Sequence, residues 1–137
     1  MYVSIIGNNT VVCFVSLHTP LIPATRGMIG AQLLAKLRDG TIFLNTARAG
    51  LVDEEALLRE LATGRFIAAL DVFHQEPLPL ASPLRSLPNV LLSPHIAALT
   101  TETLFLQGQM VVDEVQRFVT GQPLLYEVKP EMLSIMA

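Results

Sequence analysis

Apolar and polar positions alternate in two rhythms along this chain, and the rhythms take turns. Residues 11–17 (VVCFVSL) form a short β-branched run closed by His18-Thr19-Pro20, the pattern of a strand buried on both faces. Within residues 28–37 the period becomes helical, with Leu33, Leu34 and Leu37 on one face and Asp39-Gly40 as the stop. Residues 41–45 (TIFLN) read as the next strand. Asp53 then reads as an N-cap, with Glu54 and Glu55 in the first turn, where the helix dipole favours negative charge. Leu57, Leu58 and Leu61 make the inner face of that helix and Gly64 ends it. Residues 66–73 (FIAALDVF) are predicted as a third strand. Residues 89–93 (NVLLS) are predicted as a fourth, after a loop carrying Pro77, Pro79, Pro83 and Pro88. A last helix is predicted from about 101 to 120, with an apolar stripe of Leu104, Val111, Val115 and Phe118 and a stop at Gly121. Strands separated by helices of this length imply βαβ crossovers and a parallel sheet, so the expected fold class is α/β.

Composition narrows the function classes. The chain is 51% hydrophobic and only 15% charged, against about 25% charged in typical soluble domains; this argues against disorder and for apolar surface that meets a partner. The net charge of −3 and the lack of a Lys/Arg stripe argue against a reader of nucleic-acid backbone. A single cysteine, Cys13, allows no internal disulfide and fits a reducing compartment. The first residues, MYVSIIGNNT, lack a basic n-region, and no apolar window reaches the ~18 residues of a membrane span. A cytoplasmic location is expected. No His/Cys cluster has zinc-ligand spacing, so no metal is expected.

The candidate chemistry is positional. Arg48 follows the second predicted strand, Glu76 the third and His95 the fourth. In an open parallel sheet the carboxyl ends of all strands face one edge, where ligands bind. Taken singly, each residue has a bland reading: a solvated arginine, a surface glutamate, a histidine bonded to a nearby carbonyl. Taken together, a guanidinium, a carboxylate and an imidazole converge on one crevice. An Arg fork suits a planar carboxylate. A His exchanges protons near neutral pH, and a carboxylate on its other ring nitrogen fixes its tautomer. Proton transfer beside a bound carboxylate describes a 2-hydroxy acid interconverting with a 2-keto acid, and the hydride then calls for a dinucleotide. His18 and His74 read as turn and loop residues.

Four segments, residues 15–30 (VSLHTPLIPATRGMIG), 45–57 (NTARAGLVDEEAL), 69–77 (ALDVFHQEP) and 87–97 (LPNVLLSPHIA), resemble in order and spacing the D-isomer-specific 2-hydroxyacid dehydrogenases, the family that includes D-3-phosphoglycerate dehydrogenase. The resemblance spans most of residues 11–125. It implies a partial Rossmann-type parallel sheet with flanking helices, the second half of a dinucleotide-binding domain. It also implies Arg48 as the substrate-binding arginine, His95 as the acid/base and Glu76 as the carboxylate that supports it. By the same resemblance Thr19 and the Thr46-Ala47-Arg48 turn contact the cofactor, Asp71 holds the nicotinamide carboxamide, and His95 to Ala98 lie along the nicotinamide. Ala98 stands where the family often has Gly. The implied cofactor is NAD, with NADP equally compatible.

One part of the family's pattern is missing. The glycines are Gly7, Gly27, Gly30, Gly40, Gly50, Gly64, Gly108 and Gly121, no two of them spaced i, i+2, so the G-x-G-x-x-G turn that holds a pyrophosphate does not occur in these residues. The expected layout is a non-family segment at 1–10 (a possible edge strand), a truncated NAD-binding domain at 11–122 and a remnant of the substrate domain at 123–137. Weak cofactor binding is expected of the chain alone, together with a homo-oligomer or a complementing chain. The leading reading is an NAD-dependent oxidoreductase acting on the CH–OH group of a small 2-hydroxy acid. A second reading is a non-catalytic NAD-sensing or assembly module, or an inactive fragment, of that family.

Overall fold

The computed structural model describes residues 14–136. Residues 1–10, read above as a possible edge strand, lie outside the described residues, as do Val11 to Cys13 of the first predicted strand. Two compact units are present, one running to His95 and one from Ile96 to Met136.

The first unit is a parallel sheet with its strands in chain order: β1 (Phe14–Leu17), β2 (Ile42–Asn45), β3 (Ile67–Leu70) and β4 (Val90–Leu92). The helices between them are α1 (Ala31–Leu34) and α2 (Glu54–Ala62). The α/β class expected from the alternation is the class observed. Register explains which side chains meet. Val15, Phe43 and Ala68 align across the sheet, as do Leu17, Asn45 and Leu70. All six are buried on the face that also takes Leu34 of α1 and Ala56, Leu57 and Leu61 of α2. Burying each Leu or Phe there contributes roughly 1.5–3 kcal/mol relative to exposure. On the opposite face Phe14, Ile67 and Leu91 remain exposed.

The local signals act as their chemistry requires. Asp53 caps α2 by accepting the Ala56 N–H at 3.0 Å. Gly40 and Gly64 turn the chain at φ 77° and 73°, in the left-handed region where a side chain would be strained. Arg65 ties the helical layer together, donating to the Leu37 carbonyl at 2.6 Å and pairing with Glu60 of α2. Two predicted elements are shorter than expected. The third strand ends at Leu70 instead of residue 73, because β2 stops at Asn45, whose carbonyl takes the Asp71 N–H as the last ladder bond. The first helix keeps four residues of the 28–37 span, since the Met28 N–H closes a turn on the Thr25 carbonyl and Ile29 is drawn to the 51–53 segment.

The second unit is built on α3 (Thr101–Val119), capped by Thr100, whose hydroxyl accepts the Thr103 N–H at 3.1 Å. The Glu114 carboxylate accepts the Leu125 and Tyr126 N–H groups at 3.1 Å, folding the following segment back on the helix. None of α3's side chains is buried, the predicted stripe of Leu104, Val111, Val115 and Phe118 included. Among the described residues, no helix is long and apolar enough to cross a membrane.

Candidate active site

The carboxyl ends of β2, β3 and β4 are laced together. The Asp71 N–H donates to the Asn45 carbonyl at 3.0 Å, and the Ser93 N–H to the Leu70 carbonyl at 3.0 Å. The Ser93 hydroxyl also donates to Asp71 Oδ1 at 2.6 Å. The residues just past β3 and β4 are thereby each held by the strand before them.

After β2, the buried Asn45 builds the turn that presents Arg48. Its Oδ1 accepts the Ala47 N–H at 3.1 Å and its Nδ2 donates to the Arg48 carbonyl at 3.0 Å. This is an Asx turn, in which a short amide side chain replaces a backbone partner. Arg48 itself uses Nη1 on the Ala47 carbonyl at 2.8 Å, leaving most of its guanidinium fork open.

After β3, Glu76 lies three residues beyond Phe73 and accepts the Phe73 N–H on Oε1 at 2.9 Å. Its other oxygen, Oε2, takes His95 Nδ1 at 2.8 Å. An ionised carboxylate only accepts, so Nδ1 carries the hydrogen and Nε2 is left as the ring's acceptor nitrogen. The hydrogen bond from His95, and secondarily that from the Phe73 backbone, hold the Glu76 carboxyl below its ordinary range. His95 sits at φ 56°, in the left-handed region, with its N–H turned back to the Ser93 carbonyl at 3.0 Å. A non-glycine residue held there costs of order 1–3 kcal/mol and is typical of sites where orientation matters.

Arg48, Glu76 and His95 line one open cleft of about 400 Å³. On the far side of the His95–Glu76 pair is a second cavity of about 350 Å³, walled by Phe73, Leu78, Arg85 and Leu92. The first cleft therefore offers a carboxylate-binding fork and a proton-exchanging imidazole together. Among the described residues no cluster of His, Cys, Asp or Glu is arranged to hold a metal ion.

Of the other residues picked out from the sequence, Thr19, Thr46, Ala47 and Asp71 lie at the strand ends without lining that cleft. Thr19 is buried two residues past β1, and its hydroxyl has no partner among the described residues. Thr46 is exposed on the Asn45 turn, Ala47 is half-buried, and Asp71 is buried against Ser93. Ala98 belongs to the second unit. A buried, unpaired hydroxyl carries a cost of about 1–3 kcal/mol that a polar ligand group would relieve. Thr19 in that state, beside the open ends of the sheet, fits a cofactor that hydrogen-bonds there.

Two cleft residues were not picked out from the sequence. His74, read as a loop residue, lines the cleft and bonds the Val52 carbonyl through Nε2 at 3.1 Å. Arg26 lines it too. Asn45 was read simply as the end of a strand. An Asn at the start of a strand-to-turn junction is a turn signal in its own right, and it could have been found.

The NAD-binding domain of the D-isomer-specific 2-hydroxyacid dehydrogenases matches residues 11–97. This chain belongs to that family. The family member resembles the glycerate dehydrogenase of Methylorubrum extorquens at 43% identity over 112 residues, covering 80% of this chain and 36% of the relative. It is 45% identical over 105 residues to the hydroxypyruvate reductase of Thermotoga maritima, covering 74% of this chain and 34% of that one. In structure it superposes on the D-isomer-specific 2-hydroxyacid dehydrogenase of Xanthobacter autotrophicus Py2, solved with NADPH and MES. The TM-score is 0.73 at 40% identity, over 86% of this chain and 38% of that one. This dehydrogenase-family chain thus spans about a third of the length of the curated relatives it matches.

Proposed function

We propose that this site interconverts a small 2-hydroxy acid and its 2-keto acid, with NAD or NADP as redox partner. The observation that carries this reading is the His95 Nδ1–Glu76 Oε2 pair at 2.8 Å, with both residues lining the cleft that Arg48 also lines. In this reading Arg48 takes the substrate carboxylate through its open fork and draws electron density from the adjacent carbonyl. His95 stands as acid/base at Nε2: it gives a proton to the carbonyl oxygen in reduction and takes the hydroxyl proton in oxidation. Glu76 keeps the ring in the tautomer that leaves Nε2 free and supports its positive charge when it is protonated. The residues proposed to hold the dinucleotide are Thr19, Thr46, Ala47, Arg48, Asp71, His95 and Ala98. When bound, that cofactor supplies or accepts the hydride at the substrate's C2.

These 137 residues contain no G-x-G-x-x-G turn, so the pyrophosphate contacts of a helix start have to come from outside them. The same reading assigns residues 11–122 to the NAD-binding domain and 123–137 to the substrate domain. It places the protein in the cytoplasm, with a second copy or a complementing chain as partner. The absent glycine turn also favours the second reading, a non-catalytic NAD-sensing or assembly module.

The test is NADH oxidation by the chain, at several protein concentrations, with glyoxylate, hydroxypyruvate and pyruvate, beside a fluorescence titration with NADH. Turnover that disappears in H95Q supports the dehydrogenase. Saturable NADH binding without turnover supports the sensing module. Neither, at any concentration, overturns both.

A further inference from the structure

The cleft described above has a second cationic wall. Arg26 lies in the loop after β1, and two features of the fold bring it to the Arg48 turn. The Gly27 N–H donates to the Gly50 carbonyl at 2.8 Å, and the Ile29 N–H to the Leu51 carbonyl at 2.9 Å; the Asp53 N–H returns to the Ile29 carbonyl at 3.1 Å. Residues 27–29 are thus stitched, like an added strand, to the segment that begins two residues after Arg48. Side-chain placement follows from the same contact. A Cβ built on Gly50 would stand 2.9 Å from Leu21 Cδ2 and 3.4 Å from Arg26 Nη1, so Arg26 and Leu21 lie directly over the Gly50 backbone. A glycine here makes room for that guanidinium at the cleft wall.

The charges in the cleft do not balance internally. Its one carboxylate is Glu76, and both its oxygens are engaged, by the Phe73 N–H and by His95. The Arg26 guanidinium has no hydrogen-bond or ion-pair partner among the described residues, and the Arg48 guanidinium bonds only its neighbour's carbonyl. Two guanidiniums therefore face one cleft with their forks open. A monocarboxylate satisfies one of them. The other is left to water.

We propose that Arg26 is a specificity-determining residue that recognises a second anionic group on the substrate, so that the cleft favours 2-keto acids with a carboxylate or a phosphate beyond C2 over those whose only anionic group is the C1 carboxylate. The inference rests on the proposed function, in which Arg48 takes the first carboxylate. A guanidinium fork matches both carboxylate and phosphate, and a cleft lined by one sign of charge concentrates the opposite one.

Equilibrium binding of pyruvate, hydroxypyruvate, oxaloacetate and 3-phosphohydroxypyruvate to the chain tests it, by calorimetry with wild type, R26Q, R26K and R48Q. The expected readout is a ratio: oxaloacetate over pyruvate, and 3-phosphohydroxypyruvate over hydroxypyruvate, each favoured about tenfold or more in wild type, as one charged hydrogen-bonded pair supplies. R26Q brings both ratios towards one, and R26K recovers part of the loss. The more strongly favoured of the two pairs identifies the second group as carboxylate or phosphate. Ratios near one in wild type, ratios unmoved by R26Q, or no binding of any of the four acids overturn the inference. The proposed function is read separately from R48Q, which should weaken all four acids together. If R48Q does so while R26Q leaves the ratios alone, Arg48's role stands and Arg26's falls. If R48Q changes nothing while R26Q acts, the proposed role of Arg48 falls, and with it the reading of Arg26 as the partner of a second anionic group.

Discussion

Glu76 Oε2 holds His95 Nδ1 at 2.8 Å across a separation of 19 residues, while Glu76 Oε1 is held by the Phe73 N–H at the end of its own strand connection. The carboxylate is thus pinned at one oxygen by local backbone and uses the other to aim a side chain delivered by the next strand. That arrangement fixes both the ring's orientation and its tautomer.

Replacing Glu76 with Gln should separate these two effects. The amide keeps the size but brings a donor, so the ring no longer has to carry its hydrogen on Nδ1. A fall in kcat/KM of about 10²-fold is expected, the scale of a general acid/base contribution. The tautomer shift is read directly from long-range proton–nitrogen correlation spectra of the His95 ring. An unchanged ring spectrum and unchanged turnover would refute the role of Glu76.

The same pair gives the fold a pH dependence of definite sign. The His95 hydrogen bond, then the Phe73 N–H, lower the Glu76 pKa from its ordinary value of 4.5. A carboxyl depressed in the folded state binds protons less readily there than in the unfolded chain. Its contribution to stability is present above pH 4.5 and is lost as the pH falls through the folded value. Thermal melts should show Tm dropping below that pH, with a shallower drop in E76Q. Both groups are more than a third exposed, so the difference between the two curves is expected to be small.

Asn45 is expected to matter more for stability than its place outside the cleft suggests. Truncation to Ala leaves the Ala47 N–H without its partner and the Arg48 carbonyl with only the Leu51 N–H, at 3.3 Å, at a position 2% exposed. A loss of about 2 kcal/mol is expected in urea denaturation, with weaker 2-keto acid binding because the Arg48 turn relaxes. R48K is the complementary variant. It should keep the melting temperature and raise KM, since a lysine retains the charge without the fork.

Thr19→Val has opposite signs with and without cofactor. The hydroxyl is buried and unpaired, so an isosteric apolar side chain should raise stability by about 1 kcal/mol. If Thr19 hydrogen-bonds the dinucleotide as proposed, the same variant weakens NADH binding. A stabilised protein with unchanged NADH affinity would remove Thr19 from the cofactor site.

Leu61 lies fully buried where α2 meets the sheet. Leu61→Ala is expected to cost about 2–5 kcal/mol, a large share of the 5–15 kcal/mol that holds ordinary domains together. Loss of the urea transition, or a midpoint shifted by that amount, is the outcome to look for.

What could be read from the residues alone is what depends on neighbours in the chain. Asp53 caps α2 because its side chain needs only the N–H three residues on, and Gly64 stops α2 because positive φ is a property of one residue, whereas α1 ends at Leu34, well before the expected stop at Asp39-Gly40. The alternation of period 2 and period 3.6 likewise set the α/β class and put Arg48, Glu76 and His95 after strands that a parallel sheet opens at one edge. Tertiary structure decided the rest. The third strand stops at Leu70 because β2, turning at Asn45, offers no partner beyond the Asp71 N–H, and no signal within residues 66–73 carries that. Asn45 is a buried turn-builder because the strands on either side of it close over its amide. Arg26 and His74 reach the cleft through bonds to Gly50, Leu51 and Val52, residues more than 20 positions away, reached by way of Gly27 and Ile29 in the first case. Periodicity reports which face of an element is apolar. Which loops are stitched beside which turn depends on backbone groups that every residue carries alike, so the sequence names the site's central residues and the fold supplies its walls.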